Sequence, residues 1–119
     1  MNSIIEQLFT NFTVDNVSIP VAFLRYTGNK TTYITYMLSN TDNSLSAEDQ
    51  IQNYVDYYDF DIYSKSNYLK IIDEVIKKMT GAGFIWQPSQ SSGDMYEDDT
   101  GYFHRTLCFA IERSVNING

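Results

Sequence analysis

Cysteine and histidine each occur once in this chain of 119 residues, as Cys108 and His104. A single thiol excludes an intramolecular disulfide framework and a cysteine-based zinc site. A single imidazole leaves a zinc hydrolase short of the nitrogen and sulfur ligands that such sites use. Cys108 stands in an apolar stretch, which predicts a buried and inert thiol.

Basic residues are scarce as well. Eight Lys and Arg are set against fifteen Asp and Glu, which gives a net charge of −7. Phosphate contacts need clustered Lys and Arg, so this balance argues against nucleic acid as a bound partner. It remains compatible with the passage of DNA through an acidic channel that does not bind it.

Several functional motifs are missing too. The chain has no glycine-rich phosphate loop, no CxxC pair and no glycine-flanked nucleophilic serine. On a strand, His104 and Cys108 would lie about 13 Å apart, which is too far for a catalytic pair. The sequence shows neither a signal peptide nor an apolar run long enough to span a membrane. These absences predict a soluble protein, either cytosolic or part of an assembly.

The segment DMYEDDTGYFHR, residues 94–105, is the most suggestive of chemistry. It holds four carboxylates within six residues and the only histidine: Asp94, Glu97, Asp98, Asp99 and His104. An EF-hand loop needs Gly at position 6 and Glu at position 12, whereas this segment has Gly at 8 and Arg at 12. It is therefore interpreted as a solvated acidic turn that leads into a strand, with no metal ligand assigned.

Tyrosine is abundant, with ten residues beside seven Phe and one Trp. Tyrosine suits half-buried strands and interfaces because it joins an apolar ring to a polar tip. The chain length suits one domain, 1–119, with one core.

Hydrophobic periodicity predicts an α+β fold, with an antiparallel sheet of about four strands and two helices packed on one face. The predicted elements are an N-terminal helix at 3–12, a β-hairpin at 17–38, a mobile loop at 39–53, a strand at 54–63, a helix at 66–80 and a C-terminal strand at 101–113. In the strand at 54–63, Tyr58, Phe60 and Ile62 fall on one face. Asp59 and Asp61 fall on the other, which is expected to be solvated or part of an interface.

Four segments together resemble a known family. YYDFDIYSKSNY precedes the amphipathic helix EVIKKMTGAGF, and DMYEDDTGYFHRTLCFAIE follows it; IPVAFLRYTGNKTTYITYML fits the opening of the family. Over residues 17–113 the chain resembles the tail-completion proteins (tail terminators and head–tail joining proteins) of long-tailed bacteriophages, including phages and prophages of Gram-positive hosts.

The resemblance implies a tail terminator-like fold and a structural role without enzymatic activity, cofactor or metal. Subunits would form a ring, commonly a hexamer, in the virion at the head-proximal end of the tail, after assembly in the host cytoplasm. Its partners would be the tail tube protein and the head connector or stopper protein, with DNA passing through the channel without specific binding. No membrane would be involved.

The resemblance also marks segments 61–65 and 96–104 as holding the fold and the subunit contact, and the loop at 39–53 as an arm that reaches a neighbour. The candidate subunit-contact or channel residues are Asp59, Asp61, Tyr63, Tyr96, Glu97, Asp98, Asp99 and His104.

Two other functions remain open from the sequence. One is a metal-dependent hydrolase that uses an Asp/Glu/His cluster, formed by Asp59, Asp61, Glu97 and His104. The other is a small host-interaction protein whose acidic surface imitates nucleic acid.

Overall fold

Two α-helices, one 3-10 helix (Pro88–Gln90) and eight strands are the regular elements of the described part of the chain in a computed structural model. The structure describes residues 2–43 and 51–116, with only the backbone described for 51–52 and 114–116. The elements are α1 (Asn2–Leu8), β1 (Thr13–Val14), β2 (Val17–Ser18), β3 (Val21–Phe23), β4 (Tyr33–Asn43), β5 (Ile51–Ser64), α2 (Leu69–Gly81), β6 (Ile85–Trp86), β7 (Met95–Glu97) and β8 (Tyr102–Asn116). This is the α+β class that the sequence predicted, with sheet as the larger part.

The main sheet is built on three long antiparallel strands, in the order β4, β5 and β8. The short strand β3 lies along the free edge of β4 and runs parallel to it. On the other side, β6 and β7 pair with different parts of the outer edge of β8. The described sheet thus has six strands and one parallel pair, so the prediction of about four antiparallel strands is corrected on both points.

The predicted β-hairpin at 17–38 is wrong. Leu24 has φ +66° and the Arg25 N–H donates to the Phe23 carbonyl, so β3 stops in a tight turn. The connection 24–32 then returns to the start of the sheet, where Ile34 pairs with Val21 in parallel register. A left-handed backbone at leucine is rare and leaves no recognisable trace in the sequence.

The core lies between the helices and one face of the sheet. Helix α2 buries Ile71, Ile72, Val75 and Met79, while Leu69 in its first turn is 55% exposed. Helix α1 ends at Leu8, earlier than the predicted 12, although the chain beyond it still places two phenylalanines in the core. The sheet contributes its largest side chains from three strands: Ile34, Tyr36, Tyr58, Phe60, Ile62, Leu107 and Phe109.

The three long strands continue past the core. No core residue comes from the described residues between Tyr36 and Tyr58, and the molecule measures 52 × 27 × 24 Å. We call this extension the arm, defined as residues 39–43, 51–57 and 110–116. The predicted mobile loop at 39–53 is therefore strand at both ends, and residues 44–50 lie outside the described part of the chain.

Candidate functional site

The sheet face opposite the helices, which we call the uncovered face, holds half of the predicted site residues. Side chains alternate along β5, so Asp59, Asp61 and Tyr63 point away from the face that bears Phe60. His104 on β8 lies beside Tyr63 and shares its face. The pairing of β5 with β8 therefore brings these four side chains onto one face.

Asp61 is at the centre of a hydrogen-bonded cluster. Its Oδ1 accepts a hydrogen bond from the Thr106 hydroxyl at 2.6 Å, and His104 Nε2 lies 3.0 Å from the same oxygen. The carboxylate and the imidazole are both largely shielded from water. The cluster connects β5 to β8 through side chains as well as through the backbone.

Aromatic rings extend the cluster towards β4. The His104 ring stacks on Tyr63 with centroids 4.2 Å apart, and Tyr63 stacks on Tyr33 at 5.0 Å. Tyr33 in turn stacks on Tyr26 at 4.6 Å, while Tyr102 meets Tyr33 edge-on.

Burial, followed by the charge of the neighbouring Asp61, raises the pKa of Tyr63 to about 12. Burial also raises the pKa of Tyr33, so Tyr33 and Tyr63 are neutral at physiological pH and pack as uncharged rings.

Asp59 and Cys108 face each other next to this cluster. Burial raises the pKa of Asp59 above its ordinary value, and a hydrogen bond from the thiol opposes that effect. Burial and then the Asp59 charge raise the pKa of the Cys108 thiol to about 11. The thiol is buried, as the sequence predicted, and its lack of reactivity remains a prediction.

The acidic segment is divided by the structure. Glu97 pairs with Tyr102 at the edge of the uncovered face, whereas Tyr96 lies on the helix side with its ring 5.0 Å from Phe103. Asp98 and Asp99 are exposed in the turn between β7 and β8. The predicted site residues therefore do not form one cluster, because β7 alternates like any other strand.

Sequence reasoning missed the way in which the edge of β8 is closed. The Ser92 and Ser91 hydroxyls accept the Thr106 and Cys108 N–H groups, each at 2.9 Å. The Ser92 N–H donates to the Thr106 carbonyl at 3.0 Å. Two serine side chains thus occupy the gap between β6 and β7 where strand pairing would otherwise be. The run SQSSG was the only signal, and its composition indicates no more than a polar loop.

Carboxylates dominate the charge of the uncovered face. Along the described parts of β4, β5 and β8, this face bears no Lys or Arg; one cation, Lys65 directly after β5, lies over the Tyr102 ring at the end of the face, with its Nζ 5.0 Å from the ring centroid. The two arginines of β8, Arg105 and Arg113, pair with Ile62 and Tyr54 and so point to the helix side. The carboxylates of the uncovered face on these strands are Asp42, Asp59, Asp61 and Glu112.

The described residues include possible ligands of a metal ion. Among the described residues, no group of three or more His, Cys, Asp or Glu side chains is arranged to hold a metal ion. Asp61 and His104 form a pair, and the Asp61 oxygen that lies next to His104 also accepts the Thr106 hydroxyl. What the arrangement provides is a rigid, anionic and hydrogen-bonded surface.

Comparison with models of protein families gives no match for this chain, and comparison with curated proteins gives no significant one. The resemblance to tail-completion proteins therefore stays a prediction. None of the described helices is long and apolar enough to cross a membrane.

Proposed function

We propose that this protein is a structural subunit of a bacteriophage tail. It would form a ring at the head-proximal end, terminate the tail tube and join it to the head connector. The assignment to a phage tail rests on the resemblance of residues 17–113 to tail-completion proteins. The division of charge between the two faces of the sheet supports a ring with a channel.

That division of charge is the observation that carries the proposal. A channel that passes DNA must repel phosphate, because clustered cations would hold it in place. The uncovered face has this property, since its strands present carboxylates while their arginines point to the helix side. In the proposed ring this face lines the channel, and the helices lie on the outside.

The arm supports the same role. The arm extends past the apolar core, so it can reach neighbouring subunits, or the tail tube and connector proteins. Subunit interfaces of stable assemblies bury about 800 Å² on each partner, which a small core domain supplies more easily with such an extension.

Electron microscopy of particles made without this protein would test the proposal. We expect tails of irregular length that are not joined to filled heads. Supplying the unaltered chain from a plasmid should restore joined particles. Normal tails on normal heads in its absence would refute the role.

A second experiment tests which face lines the channel. Replacing Asp42 and Glu112, both exposed, by Lys places cations on the uncovered face. Glu6→Lys with Asp73→Lys makes the same change in charge on the helix side and is the matched control. We expect slow DNA passage and reduced infectivity for the first variant alone. Equal effects of the two variants would mean that the uncovered face does not line the channel.

A further inference from the structure

The two edges of the sheet both expose apolar side chains. At the β3 edge, Phe23 is 47% exposed and Leu24 is 60% exposed. At the β7 edge, Met95, Tyr96 and Phe103 are exposed in the same way. Paired exposed apolar regions on one small domain are typical of surfaces that are covered in an assembly.

The β3 edge also carries positive charge on a fixed loop. The connection 24–32 contains Arg25 and Lys30 and no acidic residue. The Tyr26 hydroxyl accepts the Lys30 N–H at 2.9 Å, and the Tyr26 ring lies so close to Gly28 that a side chain there would collide with it. The loop is thus already ordered, and binding would cost little conformational entropy.

The β7 edge carries the opposite charge. Segment 94–99 contains four carboxylates and no basic residue. One of them, Asp94, lies 3.8 Å from the Arg105 guanidinium on β8, which leaves Glu97, Asp98 and Asp99 as the acidic groups of this edge. The turn that follows is closed by the Gly101 N–H, which donates to the Glu97 carbonyl at 2.8 Å, and by the Thr100 hydroxyl, which donates to the Glu97 carboxylate at 2.9 Å. Asp98 and Asp99 make no ion pair with the described residues and project into solvent.

We propose that the β3 edge of one copy binds the β7 edge of the next, head to tail. This inference rests on the proposed ring and names its contact. Each copy contributes one basic and one acidic edge, so every contact joins opposite charges and apolar side chains. Contacts between different surfaces of identical subunits generate rings when the rotation closes. A symmetric contact between two β3 edges would instead place Arg25 and Lys30 of one copy against the same cations of the other copy, which is unfavourable.

Charge reversal gives a direct test by sedimentation velocity at low salt. Variant R25E/T27E makes the β3 edge acidic and leaves Lys30 in place, since its ammonium donates to the Ser18 carbonyl. Variant D98K/D99K makes the turn at the β7 edge basic. We expect each variant alone to associate at least about tenfold more weakly than the unaltered chain. An equimolar mixture should recover association, because acidic edges then meet basic ones.

The matched control for R25E/T27E is K77E/S3E, which makes the same change in net charge on the helices, and the control for D98K/D99K is E6K/D73K; both controls should associate like the unaltered chain. Circular dichroism confirms that each variant is folded. If a variant is not folded, salt titration of the unaltered chain provides the measurement, since a contact of this kind weakens as the salt concentration rises.

Cysteine cross-linking distinguishes the geometry. T27C mixed with D99C should form disulfide-linked pairs, and neither variant should cross-link with itself. Self-linking of T27C would overturn the head-to-tail contact. Association that is insensitive to both charge reversals would overturn this inference alone, whereas a chain that neither associates nor forms rings on particles would overturn the proposed function as well.

Discussion

The ion pair between Asp56 and Arg113 should carry much of the stability of the arm. Asp56 is buried, with 6% of its side chain exposed, and its Oδ2 accepts the Arg113 Nε–H at 2.7 Å. Its Oδ1 accepts the Thr41 hydroxyl at 2.7 Å. One carboxylate thus links β4, β5 and β8 beyond the core. The Arg113 side chain is 40% exposed, and its guanidinium lies over the Tyr54 ring, 4.7 Å from the ring centroid.

The difference in burial predicts an asymmetry between the two partners. Arg113→Met keeps an apolar stem but leaves a buried carboxylate without its cation. Such a change costs about 3–5 kcal/mol when both partners are buried. Because Arg113 is partly exposed, we expect about 2–3 kcal/mol, close to the contribution of a charged hydrogen bond. Asp56→Asn should cost only about 1 kcal/mol, because the remaining guanidinium can reach water.

Urea unfolding followed by circular dichroism would measure both changes. With a slope of about 1–3 kcal/mol per molar urea, a loss of about 2–3 kcal/mol in Arg113→Met should lower the midpoint by about 0.7–3 M. The double variant D56N/R113M isolates the coupling energy of the pair. An equal or smaller midpoint shift for Arg113→Met than for Asp56→Asn would refute the reasoning, since it would show that Asp56 does not need its cation.

Three further predictions concern the uncovered face and the acidic turn. Asp59→Asn should leave the unfolding free energy at pH 7 unchanged or slightly higher, because burial raises the Asp59 pKa. Asp61→Asn should lower the unfolding free energy by about 1.5–3 kcal/mol, because it weakens hydrogen bonds to a charged group. Urea midpoints of the two variants measure this difference, and equal midpoints would contradict the prediction. Burial raises the pKa of the Cys108 thiol from 9.0 to about 11. The contribution of the neutral thiol to stability is therefore complete below pH 9.0. It is lost as the pH rises from 9.0 to about 11, because the thiol ionises in the unfolded chain at a lower pH than in the folded one. The Cys108→Ala variant should show a shallower loss of thermal stability over that range, and an unchanged slope would count against the shift. Replacing Asp98 and Asp99 by Asn should leave the melting temperature within a few degrees and alter ring assembly or DNA passage, whereas loss of folding would mean that the turn holds buried, paired charges.

The parts of the fold that depend on strand alternation could be predicted from the sequence. The order of side chains from Tyr58 to Tyr63 identifies the two faces of β5 without knowledge of its neighbours, because the period of two is a property of the strand itself. His104 joins that face only through the register of β8 on β5, which sets it beside Tyr63. The sequence therefore identifies Asp61 and His104 as candidates, whereas their contact depends on the pairing of β5 with β8.

The predictions that the structure corrects concern segments whose conformation depends on partners distant in sequence. Residues 39–43 have no hydrophobic period, and they are strand because β5 pairs with them and Asp56 accepts the Thr41 hydroxyl. The direction of β3 depends on one left-handed residue, Leu24, that has no sequence signature. The sequence groups Tyr96 with its acidic neighbours, because a segment interpreted as a turn does not assign alternate residues to opposite faces. In β7 the Tyr96 side chain points to the opposite side from Glu97.

Folding and the proposed function use different faces of the same sheet. The helix side holds the apolar core together with the buried Asp56, so a change there alters stability first. On the uncovered face, the polar groups near the core are already paired with each other, while Asp42 and Glu112 are exposed on the arm. A charge can therefore be reversed at Asp42 or Glu112 without removing a core contact. An assembly defect in such a variant, with an unchanged urea midpoint, would reflect the charge of the surface and not the integrity of the fold.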